Sequence, residues 1–302
     1  MSKRDFLRLS DLTLQEHHRL LARAHSLKAR RQKKQLDRTL EGRTLVLIFE
    51  KASTRTRLSF EAAMGQLGGQ AITLPFDGSQ MARGEPLADT ARVVSGYADC
   101  IMMRTFKDAR IQEVARAATV PVINGLTDGA HPVQLLADIM TVQERLGSIE
   151  GRTVAFVGDG ATNMALSWME AARIFGFSLR LAAPEGYRPP EAEVKACGSR
   201  LLVTASPEEA VAGAEVVVTD VWTSMGQEAE TAKRLTAFKG FCVDEALLAK
   251  AKPGAMVLHC LPAHRGEEIS AGVLDGPQSA AWDEAENRMH AQKALLELLL
   301  LG

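Results

Sequence analysis

The stretch RTLVLIFEKASTRTRLSFEAAMGQLGGQAITLPF, Arg43 to Phe76, decides the fold. Arg43–Phe49 is a short apolar run without helical spacing, which reads as a buried strand. Arg55 to Leu67 has helical spacing and stops at Gly68-Gly69. QAITLPF then reads as a second strand. A strand, a helix and a strand within 34 residues make a βαβ unit, which implies a parallel sheet.

The same alternation continues along the chain. Pro86–Tyr97 reads as a helix with Pro near its start, DCIMM (99–103) as a strand, Ala109–Ala118 as a helix and VPVIN (120–124) as a strand. His131–Leu146 is a long helix ending at Gly147. The pattern then restarts: RTVAFVG (152–158), SLRLAAP (178–184), RLLVTAS (200–206), AEVVVTD (214–220) and AMVLHCLP (255–262) read as strands. Helices are expected at 163–175, 190–196, 207–212 and 245–251, with a last one over about 283–300. Upstream, Phe6–Arg31 has helical periodicity with Ser10 or Asp11 as cap. The fold class is therefore α/β: two doubly wound parallel-sheet domains with an interdomain cleft. The expected domains are 1–146 and 147–282, with the final helix, about 283–302, packing back onto the first.

Bulk composition fits two domains. The chain has 302 residues, 46% hydrophobic and 24% charged, with a formal net charge of -1. No global field calls for nucleic acid or an acidic membrane. The basic run Lys28–Lys34 reads as a solvated helix face. The apolar run Leu295–Leu301 contains Glu297 and is too short to span a bilayer. Four scattered cysteines without zinc spacing, and no secretory leader, point to reduced thiols and a cytoplasmic protein.

In open parallel sheets, ligands bind beyond the carboxyl ends of the strands. The unusual polar residues fall there. Ser53–Arg57 follow the first strand, Arg104 follows DCIMM, Asn124 ends VPVIN, and His131 opens the next helix. In the second half Asp159 and Asn163 follow RTVAFVG, Asp220 ends AEVVVTD, and Cys260 ends AMVLHC. STRTR at a helix start offers a hydroxyl cap, free N–H groups and guanidinium forks, all suited to phosphate oxygens. The alternative is a capped surface helix whose arginines pair with Glu50 and Glu61. His131 could donate to a carbonyl oxygen as a neutral imidazole or be purely structural. Asp220 could receive an ammonium group or cap a loop. A metal held by His259, Cys260 and His264 is disfavoured by Pro262. Gly158-x-Gly160 imitates a dinucleotide loop but lacks the third glycine, and the following strand ends without the acid that binds a ribose.

Taken together, STRTR (53–57), GSQMARGEPLADTARV (78–93), MMR (102–104), HPVQ (131–134), GDGATNM (158–164), DVWTSMG (220–226), HCLPAHRGEE (259–268) and ENRMHAQKA (286–294) resemble the transcarbamoylase family, in its ornithine branch. The resemblance implies a homotrimer or a multiple of trimers, no cofactor and no metal, and two small substrates, carbamoyl phosphate and ornithine. It implies that Ser53, Thr54, Arg55, Thr56 and Arg57 hold the phosphate. Arg104, His131, Gln134 and Arg288 would hold the rest of carbamoyl phosphate, with Gln80 contributed by a neighbouring subunit. Asn163, Asp220, Ser224 and Met225 would hold ornithine, and Cys260 and Leu261 would line the meeting point. Arg104, His131, Asp220 and Cys260 would be the catalytic set. The product would be citrulline, in arginine biosynthesis. The loops at 220–226 and 260–268 are expected to move as the domains close. The family often has two asparagines before Met164; here the first is Thr162.

Overall fold

The computed structural model describes residues 3–223 and 228–302. It divides into two compact units, Met1–Met140 with Glu286–Gly302, and Thr141–Ala285.

The first unit holds β1 (Thr44–Phe49), β2 (Gln70–Pro75), β3 (Cys100–Arg104) and β4 (Val122–Leu126). Around them run α1 (Leu14–Gln32), α2 (Thr54–Gln66), α3 (Leu87–Ser95), α4 (Asp108–Ala117) and α5 (Pro132–Leu146). Among the described residues the sheet has the order β2-β1-β3-β4, and every pairing is parallel. Residues of β1 and β3 are buried throughout, as expected of strands covered on both faces. β2 is an edge strand, and its burial is only partial.

The second unit holds β5 (Thr153–Val157), β6 (Ser178–Ala182), β7 (Leu201–Thr204), β8 (Val216–Thr219) and β9 (Met256–His259). Its helices are α6 (Asn163–Phe175), α7 (Glu191–Cys197), α8 (Pro207–Val211), α9 (Thr231–Ala237), α10 (Glu245–Leu248) and α11 (Ala271–Leu274). The parallel order is β7-β6-β5-β8-β9. A core of Val157, Val217, Trp222, Phe238 and Phe241 packs beside this sheet. α12 (Ala281–Leu301) starts in this unit and belongs to the first from Glu286 onward.

Strand order fixes where ligands can sit. In the first sheet the winding direction reverses between β1 and β3; in the second it reverses between β5 and β8. The loops leaving such neighbouring strands diverge to opposite faces and leave a crevice at their carboxyl ends. Ser53 and Arg104 flank the first switch point, and Asp159 and Asp220 flank the second.

Three expectations need correction. The N-terminal helix does not begin at Phe6. Phe6 bridges to Ile123 beside β4, and α1 starts at Leu14. Thr13, not Ser10 or Asp11, is the cap: its hydroxyl accepts from Glu16 N while Glu16 returns a bond to Thr13 N, a capping box. Asn124 is not at a strand end. β4 runs on to Leu126, and Asn124 is buried, donating to Leu7 O at 3.0 Å, so it secures the N-terminal segment. Helices α9 and α11 are additional to the expected set. Among the described residues, no helix is long and apolar enough to cross a membrane.

Candidate active site

The first cradle begins at the start of α2. Ser53 is the N-cap, its hydroxyl accepting from Thr56 N at 3.3 Å. This leaves the other first-turn N–H groups pointing away from the helix, where its dipole favours an anion. Thr56 is fully buried one turn in. Its Oγ1 receives Ser53 Oγ at 3.0 Å, Arg288 Nη2 at 2.6 Å and Arg104 Nη1 at 3.4 Å. A hydroxyl oxygen has two lone pairs, so donors outnumber acceptors at this point. Such a surplus is the signature of a place prepared for anionic oxygens.

Gln134 lies one helical turn into α5. Its Nε2 donates to Asp138 Oδ1 at 2.8 Å and its Oε1 accepts from Arg288 Nη1 at 2.9 Å, which fixes the amide's orientation. His131 precedes Pro132, the first residue of α5, and its carbonyl accepts from Gln134 N and Leu135 N. The imidazole is buried. Burial holds its pKa well below the usual histidine range, helped by the charges of Arg288, Arg104, Lys51 and Arg55. It is therefore neutral at pH 7 and able to polarise a carbonyl oxygen without adding charge.

Ser53, Thr56, Arg104, Gln134 and Arg288 are thus brought together, with Arg55 and His131 within electrostatic reach of one another. Thr54 is the first residue of α2 and is exposed. Arg57 departs from expectation. Its side chain is 56% exposed and pairs with Glu61 at 2.9 Å, one turn along the same helix. Glu61 also accepts from Thr73 at 2.7 Å, and that bond, with the Arg57 bond, holds its carboxyl below the usual range. The alternative pairing of the STRTR arginines with Glu50 is not seen: Glu50 is held by Thr105 and Arg110, which brace β1 against the loop after β3. Gln80 is exposed beside a short 3-10 turn, Met81–Arg83. Lys51 escaped the sequence reading. It is 9% exposed, its Nζ sits 5.5 Å from the Phe106 ring centroid, and it is one of the four cations that act on His131.

The second cradle lies at the β5/β8 switch point. Asp220 follows β8, with Oδ1 accepting from Val221 N at 2.8 Å and from Cys260 Sγ at 3.2 Å. Burial raises its pKa, against the opposing pull of His259 and the Cys260 and Val221 bonds, with Glu268 adding to the rise. Cys260 is held there by a buried pair. His259 Nδ1 accepts from Leu261 N at 2.9 Å, so Nε2 carries the proton and donates to Glu268 Oε1 at 3.0 Å. Both imidazole nitrogens are committed, and His259 has none left for the metal set considered from the sequence. Leu261 has φ +58°, an uncommon conformation for a leucine and one that surroundings must impose. Asn163 is the first residue of α6, directly after the cap Thr162, whose hydroxyl accepts from Ala165 N at 3.3 Å. The threonine that stands where the family often has an asparagine thus caps the helix. Ser224 and Met225 lie outside the described residues.

The Gly158-Asp159-Gly160 run also finds its reason. A Cβ on Gly160 would lie 2.7 Å from Pro189 Cδ, so close packing demands the glycine. Asp159 binds a cation of the protein: Arg234 Nη1 donates to Asp159 Oδ2 at 2.6 Å and to Trp222 O at 2.8 Å. Arg234 is buried, with its guanidinium 5.0 Å from the Tyr187 ring centroid. One guanidinium therefore grips the loop that carries Asn163 and the base of the loop that begins at Asp220. It lies 75 residues from Asp159 in sequence, and only the tertiary fold reveals the pairing.

A cation-lined cradle on one doubly wound unit, and an acid–thiol pair on the other, each at a switch point of a parallel sheet, are features of α/β enzymes. The chain belongs to the aspartate/ornithine carbamoyltransferase family. Residues 4–144 match its carbamoyl-P binding domain and residues 150–299 its Asp/Orn binding domain. It is 54% identical over 302 residues to the ornithine carbamoyltransferase of Chromobacterium violaceum, covering 100% of this chain and 98% of that one. It is 55% identical over 300 residues to the anabolic ornithine carbamoyltransferase of Pseudomonas aeruginosa, covering 99% and 98%. The ornithine carbamoyltransferase structure from Pyrococcus furiosus superposes with a TM-score of 0.95 at 47% identity, covering 100% of this chain and 98% of that one.

Proposed function

We infer that the protein transfers the carbamoyl group of carbamoyl phosphate to the δ-amine of L-ornithine, giving L-citrulline and phosphate. The observation that carries the choice of ornithine is the buried Asp220 carboxylate with the Cys260 thiol on the same oxygen. A buried carboxylate suits a cationic amino acid and repels the second carboxylate of aspartate. The full-length likeness to ornithine enzymes supports the same reading.

The donor set around Thr56 receives the phosphate, with Ser53, Thr54, Arg55, Arg104 and Arg288 as its ligands. Neutral His131 and Gln134 take the carbamoyl oxygen and amide. The δ-amine attacks the carbamoyl carbon, the C–N bond forms, and a tetrahedral oxyanion develops. Arg104 and His131 stabilise that oxygen. The C–O bond to phosphate then breaks, and the leaving phosphate accepts a proton from the amine nitrogen. Asp220, Asn163, Ser224 and Met225 hold ornithine, with Cys260 and Leu261 beside its δ-carbon end. Binding both substrates in line supplies much of the acceleration, because carbamoyl phosphate is already activated.

The assembly would be a trimer or a multiple of trimers, in which Gln80 serves a neighbouring subunit. Exposed Gln80, together with the exposed apolar Ile72 on the edge strand β2 and Leu58 on α2, supports a contact with another subunit. Four free cysteines suit the cytoplasm. The anabolic relative supports a role in arginine synthesis.

The test supplies carbamoyl phosphate with ornithine, aspartate, putrescine, N-acetylornithine or lysine, and measures carbamoylated product for each. Strong preference for ornithine is expected. Preference for another amine would overturn the acceptor assignment while keeping the phosphate cradle. No product with any amine would overturn the enzyme reading.

A further inference from the structure

The turn after Cys260 and Leu261 carries a group of side chains to which the proposed transfer gives no contact with substrate. His264, Glu267 and Glu268 each offer one ligand atom, and these atoms lie within 4.8 Å of one another. The backbone dictates this convergence. Glu267 N donates to His264 O at 2.9 Å and Gly266, at φ +89°, donates to Ile269 O at 2.9 Å, so residues three and four apart project to one side.

Two further observations give the group a purpose. Glu268 is fully buried, and its Oε1 is committed to His259 Nε2 at 3.0 Å and His264 N at 2.6 Å. Its Oε2 is equally buried and has no hydrogen-bond partner. A buried carboxylate oxygen without a donor is costly, and such an orphan commonly marks the place of a water or an ion. The nearest cation in the sequence, Arg265, is drawn away. Its Nε and Nη2 bind Asp275 at 3.2 and 2.9 Å, so it does not neutralise the cluster.

We propose that His264, Glu267 and Glu268 form a binding site for a first-row divalent cation, with Glu268 Oε2 as the buried ligand. His264 Nδ1 and Glu267 Oε2 are 3.4 Å apart. Two ligands at zinc–nitrogen and zinc–oxygen distances in a tetrahedral shell lie about 3.3 Å apart. One imidazole and two carboxylates suit zinc, cobalt or nickel better than magnesium, which favours oxygen ligands alone. His264 is exposed and Glu267 half-buried, so an ion has a path from solvent and room for one or two waters. The site adjoins the acceptor cradle through Glu268, which also binds His259, but no step of the proposed transfer runs through it.

The probe is Zn²⁺, titrated calorimetrically into the full-length protein and into three variants, with Mg²⁺ as the control ion. The wild type should bind one equivalent of Zn²⁺ here and bind Mg²⁺ far more weakly. Cys260→Ser should keep that equivalent, because the thiol is not a ligand. His264→Ala should abolish it, and Glu267→Gln should weaken it by about tenfold to a hundredfold. Circular dichroism confirms that the variants fold, as expected for replacements at the open side of the turn. Zn²⁺ binding that survives His264→Ala overturns the proposal. Binding lost in Cys260→Ser and kept in His264→Ala overturns it in favour of the thiol. Absence of Zn²⁺ binding to the wild type overturns it outright.

Discussion

The two cradles bury an ionisable group each, and the burial acts on them with opposite consequences. His131 is kept neutral twice over, first by burial and then by Arg288, Arg104, Lys51 and Arg55. Nothing about the proposed chemistry asks it to be charged. Asp220 is pushed toward its neutral form by burial, yet an ammonium group would need it ionised. The cradle proposed for phosphate thus already gathers its cations around a neutral histidine. In the proposed acceptor cradle the aspartate is pushed toward its neutral form, and a cationic substrate would favour its ionised form. Carbamoyl phosphate should therefore bind a pre-set surface, whereas ornithine should shift the ionisation of its own site.

The largest expected effects test that contrast directly. Arg104→Ala removes the donor proposed for both phosphate and oxyanion, and should lower kcat by about a hundredfold to a thousandfold. Asp220→Asn removes the partner of the ammonium group while keeping size and fold. It should raise KM for ornithine by about a hundredfold and leave the binding of carbamoyl phosphate unchanged. Steady-state kinetics with each substrate varied in turn checks both. An Asp220→Asn enzyme with normal ornithine KM would break the comparison.

Arg234 gives the next largest effect. It touches neither proposed substrate, but it ties Asp159 to Trp222 O and so sets the spacing of Asn163 and Asp220. Lysine keeps the charge but loses the planar group over Tyr187 and the Nε bond to Glu230, so it holds the two acceptors of Nη1 less rigidly. Arg234→Lys should raise KM for ornithine by about tenfold, with kcat changed by less than about threefold. A purely structural role would instead lower the amount of folded enzyme and leave both constants of the remainder intact.

Much of this was legible in the sequence, for a physical reason. Parallel strands end where ligands bind, so an odd polar residue at a strand's carboxyl end is informative by position alone. Arg104, His131 and Asp220 announce themselves that way. Residues that act across the tertiary fold do not. Lys51 sits between β1 and STRTR without any pattern of its own, and Arg234 meets Asp159 only once α9 has formed. The buried His259–Glu268 pair was likewise hidden, because its members lie nine positions apart across a turn. The N-terminal helix was misplaced because helical spacing in Phe6–Asp11 competes with a tertiary bridge from Phe6 to β4, and the bridge wins.

The titration contrast predicts a third, smaller effect. In the unfolded chain the His131 imidazole takes up a proton near pH 6.5. In the folded protein it does so only at lower pH, so the unfolded state binds more protons in between. His131 therefore costs no stability above about pH 6.5 and removes stability progressively as pH falls below it. Asp220 has the opposite sign: its folded pKa is raised, so the folded state binds the extra proton and this term gains stability as pH falls. His131→Asn should flatten the loss of urea resistance between about pH 7 and pH 5 relative to the wild type. An identical pH slope in both proteins would mean that His131 is not the group kept neutral.

The smallest expected effect is the most pointed. Arg55 and Arg57 read alike in STRTR, and both were assigned to phosphate. An α-helix turns about 100° per residue, so two residues apart they face nearly opposite directions. One helix start can aim only one of them at the cradle. Arg55 acts on His131 within the cationic group, whereas Arg57 points outward and pairs with Glu61, one turn on. An exposed pair at this spacing contributes about 0.3–0.5 kcal/mol. Arg57→Ala should accordingly leave kcat and both KM values of an assembled enzyme within about threefold and cost about that much stability. Arg55→Ala should instead weaken carbamoyl phosphate binding severely. If Arg57→Ala instead abolished turnover at unchanged fold and assembly, its guanidinium would have to leave Glu61 and swing to the phosphate on binding. The pre-set character of the first cradle would then be lost, along with its contrast to the second.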